Sequence, residues 1–277
     1  MMRIASLTFA LFLSACAADG GPGLELESRS ISVEQNAVPT SGAGAAASVT
    51  HLLPSTGPTY VTLTVSRLDP SDGQDARKGA PQAITSGSGY VVDGSGYILT
   101  AAHVGVSKGN SVSARAANGR VYSGSVIAVL PTNDIALIRL KGFAGRAVSP
   151  TSPGCVAKGD LVYTLGRPHS SGDVARVGAF ESKHFGRAVS YGKFGYPDAL
   201  VVHMGTQKGE SGGPLFDGNG HLIGMVVSTL SDSDGNSINL AHAIPSTALA
   251  NFYCANAACS GEWAALAKRS VDDCSGT

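Results

Sequence analysis

Three residue types that together could perform acyl transfer stand at strand–loop junctions of this 277-residue chain: His103 in ILTAAHV, Asp134 in TNDIALIRL and Ser211 in GESGGPL. A neutral hydroxyl is a weak nucleophile. It becomes competent when a base takes its proton and a third group holds that base in the useful tautomer. Taken singly, each residue has an ordinary structural use, as a turn serine, a strand-end histidine or a turn-capping aspartate. Their order in the chain separates the chemical possibilities. An α/β-hydrolase elbow places the serine ahead of the acid and the histidine, and a helix follows the nucleophile at once. Here the histidine and the acid come first, and Gly212, Gly213 and Pro214 oppose a helix after Ser211.

The surrounding sequence reads as short strands. Tyr60–Leu68 alternates apolar or β-branched with polar residues. Ser86–Val104 reads as two strands about an Asp-Gly turn, and Ser111–Leu130 repeats the pattern around Asn118-Gly119. Further strands are expected at Asp134–Leu140, Leu161–Gly166, Ala199–Gly205, His221–Leu230 and Asn239–Pro245. Strands at regular intervals without helical patterns between them argue for antiparallel sheet closed into barrels. One helix is expected, over Ser260–Ser270. Composition agrees: 36 Gly and 13 Pro give many turns, and only 14% of residues are charged, against roughly 25% in typical soluble domains. Twenty basic and twenty acidic residues leave a net charge of zero, so no basic excess points to a nucleic-acid partner. No cofactor or metal site is legible. DSDGN at 232–236 has neither the glycine nor the glutamate that a calcium loop places at its sixth and twelfth positions.

At the N-terminus, Met1-Met2-Arg3 precedes an apolar run to Ala15 that is shorter than the roughly 20 residues a bilayer span needs. Residues 1–15 are therefore expected to be a signal peptide. Leu13-Ser14-Ala15-Cys16 resembles a bacterial lipobox, which implies cleavage before Cys16 and lipid on its thiol. Simple secretion is the alternative. Ala17 resembles the outer-membrane sorting pattern of a Gram-negative host. Residues 16–48, rich in Gly, Ala and Ser, are expected to form a flexible tether holding the folded domain off a membrane. With Cys16 set aside, Cys155, Cys254, Cys259 and Cys274 remain, an even number that favours two disulfides in an exported chain. Spacing leaves their three pairings open.

TAAHV, NDIALIRL and GESGGPL, in that order, resemble the three active-site blocks of the trypsin/chymotrypsin superfamily. With GSGYVVDGSGYILTAAHV before His103 and LAHAIPS after Ser211, they are most similar to the bacterial HtrA-type protease domain. The resemblance implies an all-β fold of two antiparallel six-stranded barrels with a short C-terminal helix. The protease domain would span 49–277, its barrels at about 49–145 and 155–277. It implies that Ser211 attacks a carbonyl carbon, that His103 shuttles the proton, that Asp134 orients the imidazole, and that the N–H groups of Gly209 and Ser211 form the oxyanion hole. Glu210, where digestive relatives carry Asp, needs a partner if buried, and the resemblance suggests Arg167. The substrate pocket would be lined by Gly205, Thr206, Lys208, Ser228, Leu230 and His242. Gly205 at its base argues against basic P1 residues, and Leu230 favours small or medium apolar ones. His242 could assist an acidic P1 residue or simply be a satisfied core histidine. The resemblance also suggests bridges Cys155–Cys254 and Cys259–Cys274, with Cys254–Cys259 as the alternative. Only about 30 residues follow the resembling region, so neither a PDZ-like segment nor trimeric assembly is expected, and a monomer is. The implied function is a serine endopeptidase of the bacterial cell envelope, lipid-anchored or secreted, acting on protein or peptide substrates. An esterase-like acyl hydrolase and a non-catalytic binding module on the same scaffold are the alternatives.

Overall fold

The computed structural model describes residues 30–35, 42–67, 83–231, 234 and 237–274. The chain enters it as strand β1 (Ile31–Gln35) and helix α1 (Gly42–Thr56). Both elements use residues expected to be tether, so that expectation is corrected for 31–35 and 42–48. The physical reason lies in spacing that the small-residue composition hides. Ala45 and Val49 are buried and Leu52 packs against the same core, a one-faced helical stripe. The expected signal peptide and Cys16 lie outside the described residues.

The first barrel follows the expected alternation. Its strands are β2 (Tyr60–Ser66), β3 (Ala83–Val91), β4 (Tyr97–Ala101), β5 (Ser111–Ala116), β6 (Val121–Leu130) and β7 (Ile135–Leu140), with helix α2 (Ala102–Gly105) after β4. They close in the order β2-β3-β4-β7-β6-β5. Val61, Leu63 and Val65 of β2, with Val112 and Ala114 of β5, point inward, as period-two strands require.

The second barrel comprises β8 (Leu161–Gly166), β9 (Asp173–Ser182), β12 (Leu200–His203), β13 (Pro214–Asp217), β14 (Leu222–Ser231) and β15 (Ser237–Pro245). Pairing runs β9-β12-β15-β14-β13-β8 and closes through β8–β9. Val162, Phe180, Leu200, Val202, Leu215, Ile223 and Val226 fill it. Strand β1 pairs with β9 in parallel, Ile31 opposite Asp173 through Gln35 opposite Val177, alongside the end of β9 that β12 leaves open. Between β9 and β12, β10 (Val189–Tyr191) and β11 (Phe194–Tyr196) form a separate hairpin.

Two C-terminal helices, α3 (Ser246–Asn256) and α4 (Gly261–Leu266), pack back onto the first barrel. The indole of Trp263 donates to the Val92 carbonyl at 3.0 Å, and the Tyr253 hydroxyl donates to Asp93 at 3.2 Å. The expected helix over 260–270 is thus confined to 261–266, and α3 adds a second whose Leu249, Phe252 and Tyr253 face the core. The expected bridges Cys155–Cys254 and Cys259–Cys274 are corrected in favour of the alternative: the bridges among the described residues are Cys155–Cys274 and Cys254–Cys259. Helix α3 ends at Asn256 and the chain turns at once into α4, which brings Cys254 and Cys259 to 4.9 Å between Cα atoms. The last described residues return to the inter-barrel linker. There Gly154 abuts the Asp273 carbonyl, and Cys274 is the cysteine within reach of Cys155.

Candidate active site

His103 is the second residue of α2, and Asp134 immediately precedes β7. Asp134 takes a left-handed conformation, φ 51°, which turns its carboxylate back beneath the imidazole. The Asp134 carbonyl accepts the Ala102 N–H at 3.0 Å, and one carboxylate oxygen, Oδ1, accepts the His103 N–H at 3.0 Å. His103 Nδ1 lies 2.9 Å from Oδ2 and 3.2 Å from Oδ1. The carboxylate is fully buried, while about a quarter of the imidazole side chain is exposed. A buried carboxylate bonded to Nδ1 fixes the tautomer that leaves Nε2 free to accept a proton.

Ser211 reaches the same place from the second barrel. Ser88 of β3 holds its loop at two points: its N–H donates to the Ser211 carbonyl at 2.9 Å and its hydroxyl to the Gly209 carbonyl at 2.8 Å. From the other side, the Gly212 N–H donates to Val226 of β14 at 2.8 Å. Gly87 has room for no Cβ: one would meet Val104 at 2.7 Å and the Ser211 carbonyl at 3.1 Å. The residue after the candidate base and the candidate nucleophile therefore pack against one glycine. The Ser211 hydroxyl points to the Val227 carbonyl, at 3.4 Å, rather than to the imidazole. Of the expected row of three, the structure hydrogen-bonds two and sets the third beside them.

The 205–213 loop owes its shape to glycines and one buried ion pair. Gly209 has φ 100°, and a Cβ there would sit 2.3 Å from the Arg167 carbonyl. The Lys208 carbonyl accepts the His169 N–H at 2.8 Å. A trans peptide carries its C=O and N–H on opposite sides, so the Gly209 N–H faces away from that contact. Among the described residues, neither Gly209 N–H nor Ser211 N–H donates to a protein acceptor. Glu210 is fully buried. Its partner is Arg176 of β9, not Arg167: Arg176 Nε lies 3.0 Å and 3.2 Å from the two carboxylate oxygens. Arg176 Nη1 also lies 3.0 Å from Glu34 of β1. Arg167 lies on the loop beyond β8, whereas Arg176 sits in mid-strand where β9 faces the 205–213 loop. Burial pushes the Glu210 carboxyl upward, against the opposing pull of Arg176. Removing one partner from such a pair costs about 3–5 kcal/mol, because a charge stays buried alone.

The expected pocket residues divide. The Thr206 hydroxyl meets that of Thr229 at 2.5 Å, and Thr229 also donates to the Thr206 carbonyl at 2.8 Å. Ser228 and His242 are cross-strand partners on β14 and β15, and the Tyr196 hydroxyl reaches both, at 2.8 Å each. Burial first, and then the positive charge of Arg187, pulls His242 down to about 4, so the imidazole is neutral at pH 7. Leu230 lies farther along β14, opposite Leu240. Gly205 is half-buried and Lys208 is exposed.

The model of the trypsin-like peptidase domain matches residues 87–225, half of the chain, and includes all three candidate catalytic residues. The chain belongs to the trypsin-like peptidase family. Among curated proteins, this trypsin-like peptidase is 31% identical over 173 residues to the probable periplasmic serine endoprotease DegP-like of Brucella suis biovar 1 (strain 1330), covering 62% of the chain and 33% of that protein. It is 29% identical over 187 residues to the periplasmic serine endoprotease DegP of Escherichia coli (strain K12), covering 65% and 38%. The chain thus spans about a third of the length of these relatives. Among solved structures, the HtrA-type protease AlgW with tripeptide superposes with a TM-score of 0.59 at 23% identity, over 71% of this chain and 59% of that one. The two-barrel fold is therefore that of HtrA-type proteases.

Four site residues of this trypsin-like peptidase escaped sequence reasoning: Ser88, Arg176, Tyr191 and Tyr196. Tyr191 donates its hydroxyl to Asp134 Oδ2. Two aromatics flanking Gly192-Lys193, in YGKF, are a hairpin signal that could have drawn attention to it. Ser88 and Arg176 carry no local signal, because their partners are 121 and 34 residues away.

Proposed function

We propose that this chain is a serine endopeptidase of the bacterial cell envelope, cleaving protein or peptide substrates through an acyl-enzyme at Ser211. The observation that carries the reading is His103 Nδ1 bound to a fully buried Asp134 while the Ser211 backbone is pinned beside the same turn. In this mechanism a turn about the Cα–Cβ bond swings the Ser211 hydroxyl from Val227 toward Nε2. Oγ then attacks the substrate carbonyl as His103 takes its proton. The unpaired N–H groups of Gly209 and Ser211 receive the oxyanion, an interaction of about 3–4 kcal/mol per donor in such sites. The C–N bond breaks as Nε2 returns the proton to the leaving amine, and water repeats the sequence to release the acid. No carboxylate stands at Gly205, which argues against a basic P1 side chain, and Leu230 favours a small or medium apolar one. The periplasmic relatives and the lipobox-like LSAC at 13–16 support an envelope location with Cys16 as the lipid-bearing residue.

A fluorophosphonate probe tests the reading. It should label the chain at Ser211 and leave Ser211→Ala unlabelled, and the wild type should cleave casein. An ester-only activity would make the chain an acyl hydrolase instead. A folded wild type that does not label would make it a binding module.

A further inference from the structure

We propose that Tyr191 is a positioning residue for the catalytic base, holding the Asp134 carboxylate in the plane that receives His103. The inference rests on reading His103 as that base.

Each oxygen of Asp134 is held from two sides. Oδ1 accepts the His103 backbone N–H and lies within reach of Nδ1; Oδ2 accepts Nδ1 and the Tyr191 hydroxyl. The carboxylate cannot rotate about its Cβ–Cγ bond without breaking bonds at both oxygens. Without the phenol, the carboxylate oxygen bonded to Nδ1 at 2.9 Å would be held by the imidazole alone, the group it has to orient. A fully buried carboxylate also needs more than one donor, since no water reaches it.

Tyr191 comes from the separate hairpin between β9 and β12, although Asp134 belongs to the first barrel. The β10–β11 hairpin makes that crossing. Tyr191 pairs with Phe194 across the Gly192-Lys193 turn, and Gly192 takes φ 58°. Both rings meet the imidazole edge-on, with centroids 5.9 Å and 6.3 Å from His103. Lys193 donates to the Val106 carbonyl at 3.4 Å, just beyond α2. At the hairpin's other end, Tyr196 is bonded to Ser228 and His242 in the second barrel. The hairpin is thus anchored on both barrels, and a tyrosine supplies what the position needs: a ring long enough to span the gap and a donor at its tip. Burial, and then the negative charge of Asp134, hold the phenol far above its ordinary range. It therefore stays a donor at every pH at which the enzyme would work. The titratable groups around it are Asp134, His103, Tyr196 and Lys193.

The test is Tyr191→Phe in the full chain, read by nuclear magnetic resonance titration of the His103 ring protons. Phenylalanine keeps the ring and removes only the donor. The carboxylate then concentrates more charge on the imidazole and favours its cationic form. The His103 midpoint should rise by about half a pH unit or more, the change expected from losing one hydrogen bond to a charged group. The fluorophosphonate labelling rate at pH 7 should fall about tenfold, with kcat reduced and KM unchanged in peptide cleavage. A 3-fluorotyrosine at 191, a stronger donor that keeps the fold, should move the midpoint the opposite way. Phe194→Leu, which loosens the hairpin but keeps the phenol, should leave the midpoint in place. Midpoints unchanged by both Tyr191 replacements, or a Phe194→Leu shift equal to that of Tyr191→Phe, would overturn the proposal. The titration needs no substrate, so a wild type that fails to label sinks the peptidase reading and leaves this test readable.

Discussion

His242 shows how burial can settle the chemistry of a single residue. The sequence allowed it to be a pocket group or a satisfied core histidine. In the fold it is fully buried, bonded through Nδ1 to Tyr196, and packed at a tilt against Phe185 with ring centroids 4.2 Å apart. Its pKa falls to about 4, chiefly through desolvation, with Arg187 adding to the effect. In the unfolded chain the ordinary value is near 6.5. The unfolded state therefore binds the extra proton first as pH drops. Above about pH 6.5 both states are neutral and nothing is lost. Between about 6.5 and 4 the native state loses stability, by a total on the order of 3 kcal/mol. Denaturant unfolding between pH 7 and pH 4 should show this slope, and His242→Phe should flatten it. An unchanged slope in that variant would mean that other groups carry the acid sensitivity. The candidate residues His103, Asp134 and Ser211 were legible at this scale because each sits in a local block with its own turn chemistry. Tyr191 was not, because nothing in its neighbours announces a partner 57 residues away.

Among the elements, the 205–213 loop is where backbone conformation matters most. Gly209→Ala would place a Cβ 2.3 Å from the Arg167 carbonyl in a conformation, φ 100°, that L residues rarely adopt. The loop must shift to relieve this, carrying the Gly209 N–H with it. Labelling by fluorophosphonate should slow by about 10²-fold, the effect of losing one oxyanion donor, while stability drops by only about 1–3 kcal/mol. A labelling rate equal to wild type would remove Gly209 from the oxyanion hole. Most strands were readable from alternation, as in β2 and β5. Strand β9 was not, since Asp173 through Phe180 are buried continuously and include a buried arginine, so no period of two survives. Helix α1 was hidden for a different reason: its alanines and glycine resemble linker composition, and only docking reveals the buried Ala45–Val49–Leu52 face.

Across the whole molecule, the two barrels are joined by side chains and by a long covalent closure. Cys155–Cys274 spans 119 residues and ties the inter-barrel linker to the chain's last described turn; Cys254–Cys259 spans 5. Loop-closure entropy assigns about 5 kcal/mol to the first and about 2 kcal/mol to the second. Replacing Cys155 and Cys274 by Ala should therefore lower the unfolding free energy more than replacing Cys254 and Cys259, as read by denaturant melts. The reverse order would mean that local strain relief, and not chain entropy, governs these bridges. By itself the sequence determined the barrel class, the order of the His103, Asp134 and Ser211 blocks, and the chemistry they suit, because turns and alternating strands are local features. Tertiary structure alone decided which cysteines pair, that Arg176 is the partner of Glu210, that Ser88 holds the 205–213 loop, and that a tyrosine from the hairpin between β9 and β12 reaches Asp134 of the first barrel. Those choices depend on which strands become neighbours when a barrel closes. Closure joins residues by position around a ring, which no window along the chain contains.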